Sequence, residues 1–146
     1  MTSPRPAAPG KALLGLLLGI LVLAEAGLAA LGALVWNAYH RHSITAAEAA
    51  SFTVLGVSAA AGAVITLLAL IAVVRGRHGH RLARAAAGLH FARLLGLVVA
   101  TVLIAGQLGI AAVAGLTETF ALALAGVEVL GALYATTVVA RRTRPT

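Results

Sequence analysis

Hydrophobic residues in this chain fall into four long runs, approximately 12–36, 51–74, 88–114 and 119–140, separated by short polar stretches. Each run reaches the ~20 residues that an α-helix needs to cross ~30 Å of hydrocarbon at 1.5 Å per residue. The pattern predicts an all-α polytopic membrane protein, an antiparallel bundle of four transmembrane helices occupying residues 12–140. Tails of residues 1–11 and 141–146 flank it, and the short loops leave no length for a second domain.

Composition agrees with lipid as the solvent. Of the 146 residues, 61% are hydrophobic and only 10% charged, whereas a soluble domain is roughly 45–50% apolar and about a quarter charged. There is no cysteine, so disulfides and thiolate chemistry are excluded. The dominance of Ala, Gly, Leu, Val and Arg, with Lys11 the single lysine, is the bias of GC-rich coding and suggests a bacterial source.

The charges set an orientation. Arg5 and Lys11 precede the first run; Arg75, Arg77, Arg81, Arg84 and Arg93 lie in or beside the second loop; Arg141, Arg142 and Arg144 close the chain. Only Arg41 falls on the other side. By the positive-inside rule both termini are expected in the cytoplasm, the membrane being the plasma membrane. The net charge of +7 is not read as a nucleic-acid signal, because no aromatic residues are interleaved with the basic ones. The expected partner is instead the bilayer, with Arg75, Arg77, Arg81, Arg84, His90 and Arg93 as candidate contacts for anionic headgroups; Arg93 is expected to snorkel towards them. Residues 1–26 resemble a signal peptide ending in Ala24-Glu25-Ala26, but the apolar run continues to Trp36, so an uncleaved first span is expected.

Helix ends and packing positions are legible too. Thr45 and Glu48 have capping-box spacing before the second helix, and Thr117 with Glu118 is expected to cap the fourth. Trp36 and Tyr39 suit a membrane interface. All four prolines lie in the tails, so no kinked, transporter-like helix is expected. Gly15-x-x-x-Gly19, Ser58-x-x-x-Gly62 and Ala59-x-x-x-Ala63 are close-packing patterns, for the bundle itself or for a homo-oligomer.

Four polar residues interrupt the runs at one expected depth: Glu25, Ser58, Gln107 and Glu128. Hydrocarbon cannot solvate them, so they are expected to face one another or a wet cavity. With no cation expected at that depth, at least one carboxyl is expected to be carried neutral, as a structural hydrogen bond or as a proton- or cation-exchanging pair. The histidine pairs His40/His42 and His78/His80 lack further ligands to complete a metal shell. No cofactor is indicated. There is no aspartate, nucleophile elbow, P-loop or zinc-protease motif, and Ser58 and His90 are expected to differ in depth by most of a membrane thickness, so no enzyme is expected.

An acidic residue in the first span (Leu23-Ala-Glu25-Ala-Gly27), an Arg-rich loop from Arg75 to Arg84 and an Arg-rich tail resemble the small four-span integral membrane proteins of actinobacteria. That resemblance implies location and topology and no activity. The first-span glutamate is also similar in position to that of small multidrug resistance transporters. This chain departs from them in its greater length, wider loops, absence of aromatics around the glutamate and strong arginine asymmetry. The leading expectation is a non-enzymatic accessory or interaction subunit. The alternatives are a small proton- or cation-coupled transporter or channel using Glu25 and Glu128, and a membrane sensor or regulator.

Overall fold

The computed structural model describes residues 9–41 and 43–143, with the backbone but not the side chains of Pro9 and Arg77. Arg5, His42 and Arg144 lie outside the described residues. The chain runs through α1 (Pro9–His40), α2 (Ala46–Arg75), a 3₁₀ turn (Gly76–Gly79), α3 (His80–Leu108), the single turn α4 (Ala111–Ala114) and α5 (Leu116–Arg142). The four long helices are each long and apolar enough to cross a membrane.

α2 is the hub: it packs against α1, α3 and α5, and α3 and α5 also pack on each other. α1 lies along α2 and meets α5 at few points. The contact between α1 and α2 depends on Gly32 and Gly56, which meet backbone to backbone; a Cβ on either would overlap the other's Cα. The Gly15-x-x-x-Gly19 pattern is not this crossing, since nothing lies within 4 Å of a Cβ built on Gly19.

The interior is made of small residues and the surface of large ones. Ala59, Ala69, Ala72, Ala83, Ala86, Ala121, Ala125 and Ala132 are fully buried, while Leu23, Leu34, Val64, Val74 and Leu116 are among many large apolar side chains left exposed. Small interior residues let helix backbones approach, and a large apolar surface suits a lipid solvent. Two apolar clusters form the core. One, near the end that carries the termini, holds Leu18, Ile65, Ala72, Ala86 and Val139. The other, towards the opposite end, holds Leu55, Leu97, Ala121, Ala125 and Val129.

The ends of the helices differ in how well local chemistry anticipates them. Thr45 caps α2 with the full capping box: Glu48 N donates to Thr45 Oγ1 at 3.3 Å, and Thr45 N donates to Glu48 Oε2 at 2.9 Å. The expected cap on the last long helix is not formed. α5 begins one residue before Thr117, its N-cap is Gly115, and no side chain bonds that cap. Thr119 instead donates to the carbonyl of Val113 at 2.9 Å, tying α5 to the α4 turn. Trp36 packs edge-on against His40 at 4.8 Å, with Tyr39 beside them.

The largest departure is in the third helix, expected over 88–114 but found at His80–Leu108. Its first turns, with Arg81 and Arg84 exposed and Ala83 and Ala86 buried, are helical because one face is apolar enough to pack. Gly109, at φ +87°, ends it. The shift moves every α3 residue relative to the expected depth.

Gly56→Leu is expected to separate α1 from α2 and destabilise the protein by about 1–3 kcal/mol, the cost of overpacking a tight contact. Gly19→Leu is expected to leave stability nearly unchanged. Thermal unfolding of both variants in one detergent checks the ranking.

Candidate functional site: an arginine between two glutamates

Glu25, Arg93 and Glu128 each sit close to the middle of their helix. Glu25 is fully buried, and Arg93 and Glu128 are each 9% exposed. Arg93 Nη1 donates to Glu25 Oε1 at 3.2 Å, and Nη2 donates to Glu128 Oε2 in a close ion pair. Nε donates to Ser58 Oγ at 2.9 Å. One planar guanidinium thus binds α1, α2 and α5 to α3, using the fixed fork of donors that distinguishes arginine from lysine.

His90, one turn away on α3, completes the group. Its Nδ1 lies 3.3 Å from Arg93 Nη1 and its Nε2 3.3 Å from Thr66 Oγ1. An arginine can only donate, so Nδ1 accepts and the ring proton resides on Nε2, facing Thr66. Gly62 makes the space: a Cβ there would overlap both the Arg93 guanidinium and Glu25 Oε1. One oxygen of each glutamate, Glu25 Oε2 and Glu128 Oε1, is buried without a hydrogen-bond partner.

The polar group lies between the two apolar clusters, which separate it from either end of the bundle. A cleft of about 360 Å³ between α2 and α3 reaches Ser58 and Arg93 from the side, with walls that include Val54, Val57, Gly96 and Leu97. Its flanks are the apolar faces of two long helices.

Three of the four residues expected at a common depth are therefore together: Glu25, Ser58 and Glu128. The fourth, Gln107, is exposed at the end of α3, because that helix stops at Leu108 instead of running on to residue 114. The place assigned to it is taken by Arg93. Arg93 and His90 are not headgroup contacts as expected; they are buried at mid-helix. Contrary to expectation, the carboxyls do not lack a cation: the same shift brings Arg93 to both of them. Arg75, Arg81 and Arg84 are exposed around the Gly76–Gly79 turn, and the side chain of Arg77 lies outside the described residues. Nor are Ser58 and His90 most of a membrane thickness apart, since both bond Arg93. They do not bond each other: Ser58 Oγ accepts from Arg93 Nε, and both ring nitrogens of His90 face other partners.

Among the described residues, no group of three or more His or Glu is placed to hold a metal ion. No family model, no curated protein and no solved structure matches this chain.

Arg93→Leu strips both glutamates of their counter-ion, and breaking a buried ion pair in this way costs about 3–5 kcal/mol. Combining it with Glu25→Gln and Glu128→Gln removes the uncompensated charge and is expected to recover most of the loss. Arg93→Lys is expected to recover little, because one ammonium does not reproduce the fork. Unfolding midpoints in detergent for the single, triple and lysine variants check the order.

Proposed function

We propose that this protein is a non-enzymatic integral membrane subunit of the bacterial plasma membrane, with both termini in the cytoplasm, whose Glu25–Arg93–Glu128 group locks four helices into one fixed scaffold for a membrane partner. The observation that carries this reading is the placement of the ion group between two apolar clusters. Moving an ion or proton across the membrane needs a polar route from each aqueous face to the carboxyls. Here Leu18 and Val139 lie on one side and Leu55 and Leu97 on the other. The role assigned to this ion group, attested for buried polar groups in some proteins, is to fix one arrangement of the helices. The arginine asymmetry along the chain supports the orientation.

A second reading, a proton- or cation-coupled transporter or channel, draws support from one feature. Two carboxyls face one guanidinium, and each keeps a buried oxygen without a partner. Taken by formal charges, the trio is neutral when it holds a single proton, and a proton shared between Glu25 and Glu128 would be the exchangeable species.

Purified protein in sealed vesicles is expected to pass no protons under an imposed pH gradient, and Glu25→Gln and Glu128→Gln are expected to change nothing in that assay. A flux that either substitution abolishes would replace the scaffold with the transporter. Recovery of a stoichiometric membrane partner after crosslinking in intact cells is the positive outcome for the scaffold. Orientation has its own test, made clean by the absence of native cysteine. Ser43→Cys is expected to react with a membrane-impermeant maleimide added to intact cells, and His78→Cys only after permeabilisation.

A further inference from the structure

α1 leans on α2 and leaves α5 largely uncovered, so a groove of about 470 Å³ runs between α1 and α5. Leu17, Ile20 and Ala24 form one wall, and Gly131, Ala135 and Val138 the other. The groove extends from the end of the bundle that carries the termini to Ala24 and Gly131, beside the buried ion group. At 1.5 Å per residue, the stretch from Leu13 to Ala24 is about 16 Å, close to half of a ~30 Å hydrocarbon core. Its depth is that of one leaflet.

The mouth is basic. A second cavity, of about 210 Å³, is lined by Lys11, Gly76, Arg142 and Thr143, and shares Leu14 and Arg142 with the groove. Lys11 and Arg142 are exposed, and neither is paired with a carboxylate among the described residues. Gly76 adopts φ +57° there; a Cβ at that position would come 3.7 Å from Lys11 Nζ. An ammonium and a guanidinium at the rim of an apolar slot one leaflet deep match a phosphate head attached to an acyl chain. A partner helix would be expected to continue through both leaflets, whereas this slot stops at the middle of the bundle.

We infer that the α1–α5 groove is a binding site for one anionic phospholipid, its phosphate held by Lys11 and Arg142 and an acyl chain lying between Leu17 and Ala135. The site rests on the bilayer placement proposed above, and the two fail separately. Protein that stays monodisperse without detergent sinks the placement. Protein that needs detergent but shows no lipid preference sinks the site alone.

The test uses the full-length chain in a mild detergent, titrated with phosphatidylglycerol or with phosphatidylcholine carrying the same acyl chains, and read by thermal unfolding and native mass spectrometry. Phosphatidylglycerol is expected to be retained and to raise the unfolding midpoint at lower concentration than phosphatidylcholine. The double substitution Lys11→Gln and Arg142→Gln is expected to raise the half-saturating phosphatidylglycerol concentration about tenfold or more, from two lost surface attractions. Gly131→Leu, which fills the slot and leaves the charges, is expected to weaken both lipids. Arg84→Gln with Arg141→Gln, an equal change in charge on the α3 side, is expected to leave the preference intact. Four results would overturn the proposal: no preference in the wild type, an unchanged preference in the Lys11/Arg142 variant, equal loss in the Arg84/Arg141 variant, or the full effect from glycerol phosphate alone. Because Lys11 and Arg142 are exposed, their substitution is read on folded protein even if Gly131→Leu fails to fold.

Discussion

A buried guanidinium is stable only if the protein supplies what water would have, and the middle of this bundle is organised around that requirement at Arg93. Two carboxylates, a hydroxyl and an imidazole nitrogen converge on it from α1, α2, α5 and its own helix. Each contact restricts where a helix can lie, because the fork of donors is planar and short. Gly62 follows from the same requirement, as the position where α2 must have no side chain at all. If lipid is the solvent of this bundle, the hydrophobic effect does not drive its helices together, and association rests on close packing and on directional contacts such as these.

The rest of the packing is permissive by comparison. Alanine faces in the two apolar clusters would accept small slides and rotations of one helix on another, since they have little shape to interlock. Two features oppose such movement: the ion group near the middle, and the backbone contact of Gly32 with Gly56 towards the loop end of α1. A third fixing point lies at the opposite end, where Gly79 abuts the backbone of Ala72 and His80 Nδ1 donates to the carbonyl of Ala140 at 3.1 Å. The hairpin of α2 and α3 is thereby tied to the end of α5.

Much of this is legible in the residues alone. Unbroken apolar runs identified four helices, and Thr45 with Glu48 marked the start of α2. Glu25, Ser58 and Glu128 stood out because a run of apolar residues makes an isolated polar one conspicuous. Arg93 was harder to see, for a physical reason. Hydropathy locates the third helix by its apolar stretch and leaves residues 80–87 to an arginine-rich loop, yet a helix continues past its apolar stretch where one face can pack, as α3 does from His80. Two signals pointed the right way: the helix-favouring Ala85-Ala86-Ala87 segment, and the need of two mid-helix glutamates for a cation. The Gly32–Gly56 contact had no comparable signal, because glycines are common throughout the chain and only the relative rotation of α1 and α2 selects this pair.

The two acids that hold Arg93 reach it from very different distances along the chain. Glu25 precedes it by 68 residues and Glu128 follows it by 35. If the helices enter a bilayer in order of synthesis, the first carries its carboxyl into the membrane well before Arg93, its partner in the folded chain, is synthesised. At typical translation rates of 5–20 residues per second, that wait is roughly 3 to 14 seconds. During biogenesis the nascent first helix therefore has to be sheltered by the insertion machinery, hold a proton on Glu25, or linger at the membrane surface until the third helix arrives to claim it.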